Sequence, residues 1–283
     1  MLAPYEKKHY REVKRFAARQ KNFFYVRDII RWHLKEKFPG GCYVWQEDGR
    51  VVAFQSVAYL NESDAWLWGM RVDPGCRNHG IATRFTRSLF PVIKRDGRSW
   101  VGLNTLDRAK PAPTIRVMDK LGMEHVCTHS AEFYWRRPRR AVEPRLKRFP
   151  HIFDHFRRLG QRVLFRMHPG ILWYRLLPIR RVPIDRGGYT LDGVPLHLAR
   201  LRPSRLGWHR QQMAVNLFDR PPSFREFVPR LLALVSKQNG PVVLNYPAEW
   251  ARSFRTAARR AIPGLRRNHG CWYASWRIYG KKL

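Results

Sequence analysis

Six residues, Arg77-Asn78-His79-Gly80-Ile81-Ala82, have the types and spacing to hold a phosphate. They finish a turn that starts at Val72-Asp73-Pro74-Gly75 and open directly into a stretch with helical apolar spacing. The first turn of a helix leaves main-chain N–H groups without partners and carries a partial positive charge. Each such interaction is modest, about 0.3–1 kcal/mol when exposed, but a diphosphate collects several at once. Close approach of an anion to the main chain calls for a residue without a Cβ, and Gly80 stands where that is needed. Ala82 is small enough to leave a ligand room, and Arg77 adds a cation at the rim.

Helices and strands must hold this turn in place. Apolar residues at three-to-four spacing predict helices over Tyr5–Ala18 and Val26–Phe38, the second stopped by Pro39-Gly40-Gly41. Alternation and β-branched or aromatic content predict strands over Cys42–Gln46, Val51–Tyr59 and Ala65–Val72, with turns at Glu47-Asp48-Gly49 and Asn61-Glu62-Ser63-Asp64. From Ile81 the apolar stripe predicts a helix that Pro91 should kink or shorten near Leu89. A strand over Trp100–Leu106 follows, then a short helix over Pro113–Leu121 closed by Gly122, and two closing strands between Glu124 and Trp135. Residues 1–136 therefore read α-α-β-β-β-α-β-α-β-β.

At Arg136-Arg137-Pro138-Arg139-Arg140 the composition changes. Residues 152–167 carry an apolar stripe flanked by arginines and read as a basic amphipathic helix, fit either to pack on the protein or to lie on a membrane surface. Farther on, Arg210–Leu217, Phe224–Lys237 with Ser223 as its cap, Pro241–Tyr246, Ala248–Ala261 and Cys271–Ile278 read β-α-β-α-β. That is the order of the second half of the first domain. The link between its first strand and helix, Phe218-Asp219-Arg220-Pro221-Pro222, has no basic glycine-rich turn.

The whole chain of 283 residues has 55 Lys+Arg against 21 Asp+Glu, a formal net charge of +34. The excess is uneven: residues 1–135 hold 23 basic and 14 acidic residues, residues 136–283 hold 32 and 7. Such a field attracts polyanions such as RNA, DNA or anionic lipid; the dominance of Arg over Lys is also what a GC-rich genome produces. Around Trp272, Tyr273, Trp276 and Arg277, aromatic and basic residues interleave, a pattern that can stack nucleotides or form the core of a strand. No apolar run is long enough to span a membrane, and the N-terminal MLAPYEKKHYREVKRF has no apolar signal core. The four cysteines form no C-x-x-C pair. A cytoplasmic, reduced protein is the expectation. The eleven histidines show no H-E-x-x-H pattern and no metal site is expected; there is also no G-x-S-x-G elbow.

In its strand-turn-helix setting, Arg77-x-x-Gly80-x-Ala82 resembles the R/Q-x-x-G-x-G/A motif of the GNAT acyl-CoA N-acyltransferase superfamily. The α-α-β-β-β lead-in and the segment Met118-Asp119-Lys120-Leu121-Gly122-Met123 extend the resemblance over about residues 1–136. It implies an α/β fold of mixed-sheet type that binds acetyl-CoA as co-substrate. Met70, Arg71 and Val72 would pair their main chain with the pantetheine arm, and Gly69 would allow a bulge that splays this strand from Trp100–Leu106. Arg77, Asn78, His79, Gly80, Ile81 and Ala82 would hold the diphosphate. The acyl group would pass directly to an amine, which must be neutral to attack. A lysine amine, with a pKa near 10.4, needs a base more than an α-amine near 7.7–8.0. Glu62, Asp64 and Glu132 are the candidate bases. The position of the tyrosine that serves many members as acid is Met118, and Lys110-Pro111 replaces the usual asparagine.

The expected organisation is a GNAT domain over 1–136, a basic linker with amphipathic helix over 137–170, and a degenerate GNAT-like half over 171–283. That layout is similar to histidine N-acetyltransferase-like proteins. The acceptor, a small molecule or a protein amino group, is left open. The alternative reading is a non-catalytic basic protein, its C-terminal half on nucleic acid or a ribosome, with a relic or CoA-sensing GNAT domain.

Overall fold

The computed structural model describes all residues except 21–22, 36–38, 61, 108–112, 135–145, 150–162, 168–173, 179–187, 202–211, 218, 237–241, 263–265 and 268–269. Two compact units divide the chain: Met1–Val126 with Ile278–Leu283, and Cys127–Arg277. Relative to the expected boundary at 136, the division falls ten residues earlier, and the C-terminal hexapeptide belongs with the first unit.

The first unit is built on β1 (Leu2–Pro4), β2 (Gly40–Glu47), β3 (Arg50–Tyr59), β4 (Asp64–Val72) and β5 (Trp100–Leu106), hydrogen-bonded in that order. β1 to β4 are antiparallel neighbours, and β4 and β5 run parallel. Alternation along β3 serves both faces. Ala53 and Val57 join a core with Ile81, Phe85, Leu89 and Ile93 of α3 (Ile81–Arg95) and with Met118 of α4 (Pro113–Lys120). Phe54 and Ser56 point the other way, toward Tyr5 and toward His33 of α2 (Phe23–Lys35). Helix α1 (Tyr10–Arg19) buries Val13, Phe16 and Ala17 and packs on β3 and β4.

Three expectations are corrected. Pro91 does not end α3, which continues to Arg95: Leu89 and Ile93 are both fully buried and hold the helix to the sheet on either side of the exposed proline. Only one closing strand, β6 (Glu124–Tyr134), lies where two were expected. Those eleven residues contain no Gly, Pro, Asn or Asp to turn the chain. The strand between β5 and β6 is instead the chain's last, β15 (Gly270–Lys282), which enters the first unit with Ile278–Leu283. Gly280 is needed there, since a Cβ on it would meet the Trp100 ring at 2.3 Å. Thirdly, residues 163–167, the end of the expected basic helix, form the strand β8 (Val163–Met167), paired with β9 (Tyr174–Pro178). Residues 150–162 of that stretch lie outside the described residues.

In the second unit β6 is followed across the sheet by β13 (Val242–Pro247), β12 (Gln212–Leu217), β11 (Val194–Leu201), β10 (Gly188–Leu191) and β7 (Leu146–Arg148). β12 and β13 are parallel and joined through α5 (Phe224–Ser236). Ser223 caps that helix: its hydroxyl accepts from the Glu226 N–H at 3.4 Å. Phe227, Leu231 and Leu232 of α5 and Phe254, Ala257 and Ala258 of α6 (Ala251–Ala261) form one core with Val215, Leu217 and Leu244. The short β14 (Arg266–Arg267) pairs with β15. The expected β-α-β-α-β order is present; the β10–β11 hairpin about Asp192-Gly193 was not anticipated.

Candidate functional site

β4 and β5 run side by side only from Asp64↔Trp100 to Trp66↔Gly102. Beyond that point Leu67–Val72 has no ladder partner on the β5 side among the described residues, and the strands part. The cause is local. Gly69 has φ +68°, and the β3–β4 register slips between Phe54↔Arg71 and Ser56↔Trp68, so an extra residue of β4 is accommodated there. The left-handed backbone at Gly69 disfavours any side chain, and a Cβ there would lie 2.7 Å from Ile29 Cδ1, whose side-chain tip would have to shift.

The opened strand leads into the turn. Asp73 N–H donates to the Val52 carbonyl at 2.8 Å, and the Asp73 side chain accepts from Gly75 N–H at 3.2 Å. Asn78 (φ +67°) and Gly80 (φ +74°) are both left-handed, which turns the main chain over on itself immediately before α3. Among the described residues, none accepts a hydrogen bond from the main-chain N–H groups of Asn78 to Thr83; the first α3 donor engaged is Arg84, on the Gly80 carbonyl at 3.0 Å. Six successive donors thus stand at a helix start with no acceptor among the described residues, the arrangement an anion satisfies.

Arginines and one imidazole surround this loop. Arg77 and His79 are exposed. The Arg84 guanidinium donates to the His79 carbonyl at 2.6 Å and to Glu47 at 2.8 Å. The hydrogen bond from the Trp45 indole, together with Arg84, holds the Glu47 carboxyl below its ordinary pKa. Arg15 and Arg19 of α1 reach Asp73 at 3.6 and 4.0 Å. With both guanidiniums half-exposed or more, these pairs add little stability, but they bring positive charge to the loop.

The free edge of β4 carries its own donors. Arg71 Nη1 donates to the Met70 carbonyl at 2.6 Å, and Gln20 Nε2 of the α1 C-terminus donates to the Val72 carbonyl at 3.0 Å. These are main-chain groups of Met70–Val72, the segment singled out from sequence to pair with a pantetheine arm. Gln20 carried no signal in the sequence, because a side chain that reaches across 52 positions is visible only once the fold is known.

Next to the opening, on the face toward α2, lies a polar row that sequence reasoning also missed. Cys42, Ser56 and Trp68 are cross-strand partners on β2, β3 and β4. His33 Nε2 lies 2.7 Å from Ser56 Oγ, and Trp68 Nε1 donates to the same hydroxyl. Burial pushes the Cys42 thiol up to about 12, so it stays neutral there.

Of the candidate bases, the two in the first unit, Glu62 and Asp64, are placed apart from this opening. Glu62 is exposed in the β3–β4 turn. Asp64 is fully buried at the paired end of β4, with Ser63 Oγ donating to it at 3.2 Å. It stands five residues, roughly 16 Å along a strand, from Gly69. Glu132 lies on β6 in the second unit, in register with Leu244. Met118 is buried in the α3–α4 core and has no proton to give, and Lys110-Pro111 lies outside the described residues. No group of His, Cys, Asp or Glu among the described residues is arranged to hold a metal ion.

Residues 7–122 match the model of the Acetyltransferase (GNAT) family. Over this stretch the chain is similar to a GNAT acetyltransferase domain. No curated protein matches the chain. Among solved structures, a protein from Pyrococcus horikoshii assigned as an acetyltransferase is similar over 100% of this chain and 89% of its own, at 11% identity and a TM-score of 0.50. One from Thermoplasma acidophilum, also assigned as an acetyltransferase, covers 100% of both chains at 12% identity and 0.49. The ribosomal-protein-S18-alanine N-acetyltransferase from Escherichia coli covers 50% of this chain and 84% of its own at 15% identity and 0.37. At 11% identity, the likeness to the Pyrococcus protein shows a shared fold alone.

Proposed function

We propose that the protein transfers an acyl group, in the first instance acetyl from acetyl-CoA, directly to an amine. The observation that carries this reading is the row of six main-chain donors from Asn78 to Thr83 that no described residue satisfies, next to the point where β4 leaves β5. The loop would take the diphosphate, with Gly80 giving it access. Met70–Val72 would line the pantetheine arm, which would run toward the bulge at Gly69. The amine nitrogen forms a bond to the thioester carbonyl carbon, the C–S bond breaks, the thiolate takes a proton, and the amine gives one up. Within the first unit, Glu62 lies in the β3–β4 turn and Asp64 at the paired end of β4, both away from the opening, so proton removal by water from an α-amine or similarly acidic amine fits this unit better than removal from a lysine. The second unit is read as a degenerate GNAT-like half, and the polyanion contact suggested by its charge is taken up below.

The test is thiol release from acetyl-CoA against a panel of small amines, peptides with free α-amines, and lysine peptides. Release that depends on an amine, fastest with α-amines, is the expected result. No amine-dependent release, with CoA still bound, would leave a CoA-binding protein and overturn the transferase reading.

A further inference from the structure

We infer that the outer face of α6 in the second unit is a docking surface for a nucleic-acid backbone. Residues 251–261, Ala-Arg-Ser-Phe-Arg-Thr-Ala-Ala-Arg-Arg-Ala, contain four arginines and no carboxylate. The helix buries Ala251, Phe254, Ala257 and Ala258 against its own unit. On the opposite side Arg252, Ser253, Thr256, Arg259 and Arg260 are all exposed, with Arg255 half-buried at the flank. Among the described residues, none forms an ion pair with Arg252, Arg259 or Arg260, in contrast to Arg230, which pairs with Asp192 at 3.2 Å. Arg252 and Arg259 stand two turns apart, about 10 Å along the axis, so the face presents a line of guanidiniums rather than a single point. Arg forks match phosphate oxygens bidentately.

The chemistry of the face selects between polyanions. A helix that lies on an anionic membrane pairs its basic residues with apolar side chains that enter the lipid. Here Phe254 and the alanines are spent on the core, and the outer face offers only arginine and hydroxyl groups. A line of charge with hydrogen-bond donors and nothing to insert fits a phosphodiester backbone. The excess of 32 basic over 7 acidic residues in 136–283 supplies the surrounding field. None of this depends on the acyl-transfer reading.

The experiment measures binding of the full chain to a fluorescein-labelled, mixed-sequence single-stranded RNA of twenty nucleotides by anisotropy, from 50 to 300 mM salt. The variant R252Q/R259Q/R260Q should bind on the order of 100-fold more weakly at 0.1 M salt, with the log–log salt slope reduced by about 2. The comparison variant K7Q/R11Q/K94Q removes the same charge from exposed positions of the first unit and should change binding much less. CoA binding and melting temperature, measured on both variants, should stay at wild-type values, which shows that each is folded. Equal losses from the two variants would make the attraction diffuse and overturn the assignment. So would wild-type RNA binding in the α6 variant, no RNA binding by the wild-type chain, or binding to phosphatidylserine vesicles that exceeds RNA binding and is lost in the α6 variant.

Discussion

The two units contain the same parallel β-α-β crossover, and they differ at one place. In the first, β4 passes through α3 to β5; in the second, β12 passes through α5 to β13. β12 and β13 stay in register over four residues, from Met213↔Val242 to Asn216↔Asn245, out of six in each strand. β4 and β5 pair over three residues, although β4 has nine. The first crossover starts with a loop holding two left-handed residues, Asn78 and Gly80, the second of them at the helix cap. The second starts with Asp219-Arg220-Pro221-Pro222-Ser223, where two prolines bring no N–H and a serine side chain fills the cap. A shared topology is therefore not a shared site. One bulge and one glycine cap distinguish an opened strand beside unpartnered donors from a closed pair.

This contrast can be broken from either side. The largest effect expected is on stability. Phe254 is fully buried and stacks on Tyr246 at 4.5 Å, so Phe254→Ala should cost about 3–5 kcal/mol by urea denaturation. While the variant remains folded, CoA binding should be unchanged; loss of binding would mean that the second unit shares in the site. Gly69→Ala comes next. Its left-handed φ and the 2.7 Å approach to Ile29 should cost about 1–2 kcal/mol, and closing the bulge should slow acyl transfer about tenfold or more. Unaltered turnover would detach the bulge from function. The smallest effect is Gln20→Ala, which frees the Val72 carbonyl. CoA should then bind more tightly by a few-fold, the worth of about 0.5–1 kcal/mol for one hydrogen bond; weaker binding by calorimetry would show that Gln20 helps to hold the ligand.

Much of this was legible in the chain because the signals are local. The strand Trp100–Leu106 and the helix stopped by Gly122 depend on alternation, apolar stripes and a glycine with positive φ. A turn at Arg77–Gly80 opening into a helix at Ile81 was readable because the glycine and the apolar spacing after it are both local signals. What failed was long-range. No local pattern tells a strand that its neighbour will arrive from residues 278–282, nor that a proline can sit inside a helix whose buried residues hold it on both sides. The His33–Ser56–Trp68 row and the Gln20 bond are of the same kind, made by residues from separate elements that only folding brings together.

The most direct test of the account is calorimetric binding of CoA to the wild-type chain and to Gly80→Val. A β-branched residue at φ +74° strains the helix cap by about 1–2 kcal/mol and places methyl groups over the loop donors. The account predicts that the variant, with its fold checked by circular dichroism, loses CoA binding at least tenfold. Wild-type affinity in a folded Gly80→Val protein would contradict it.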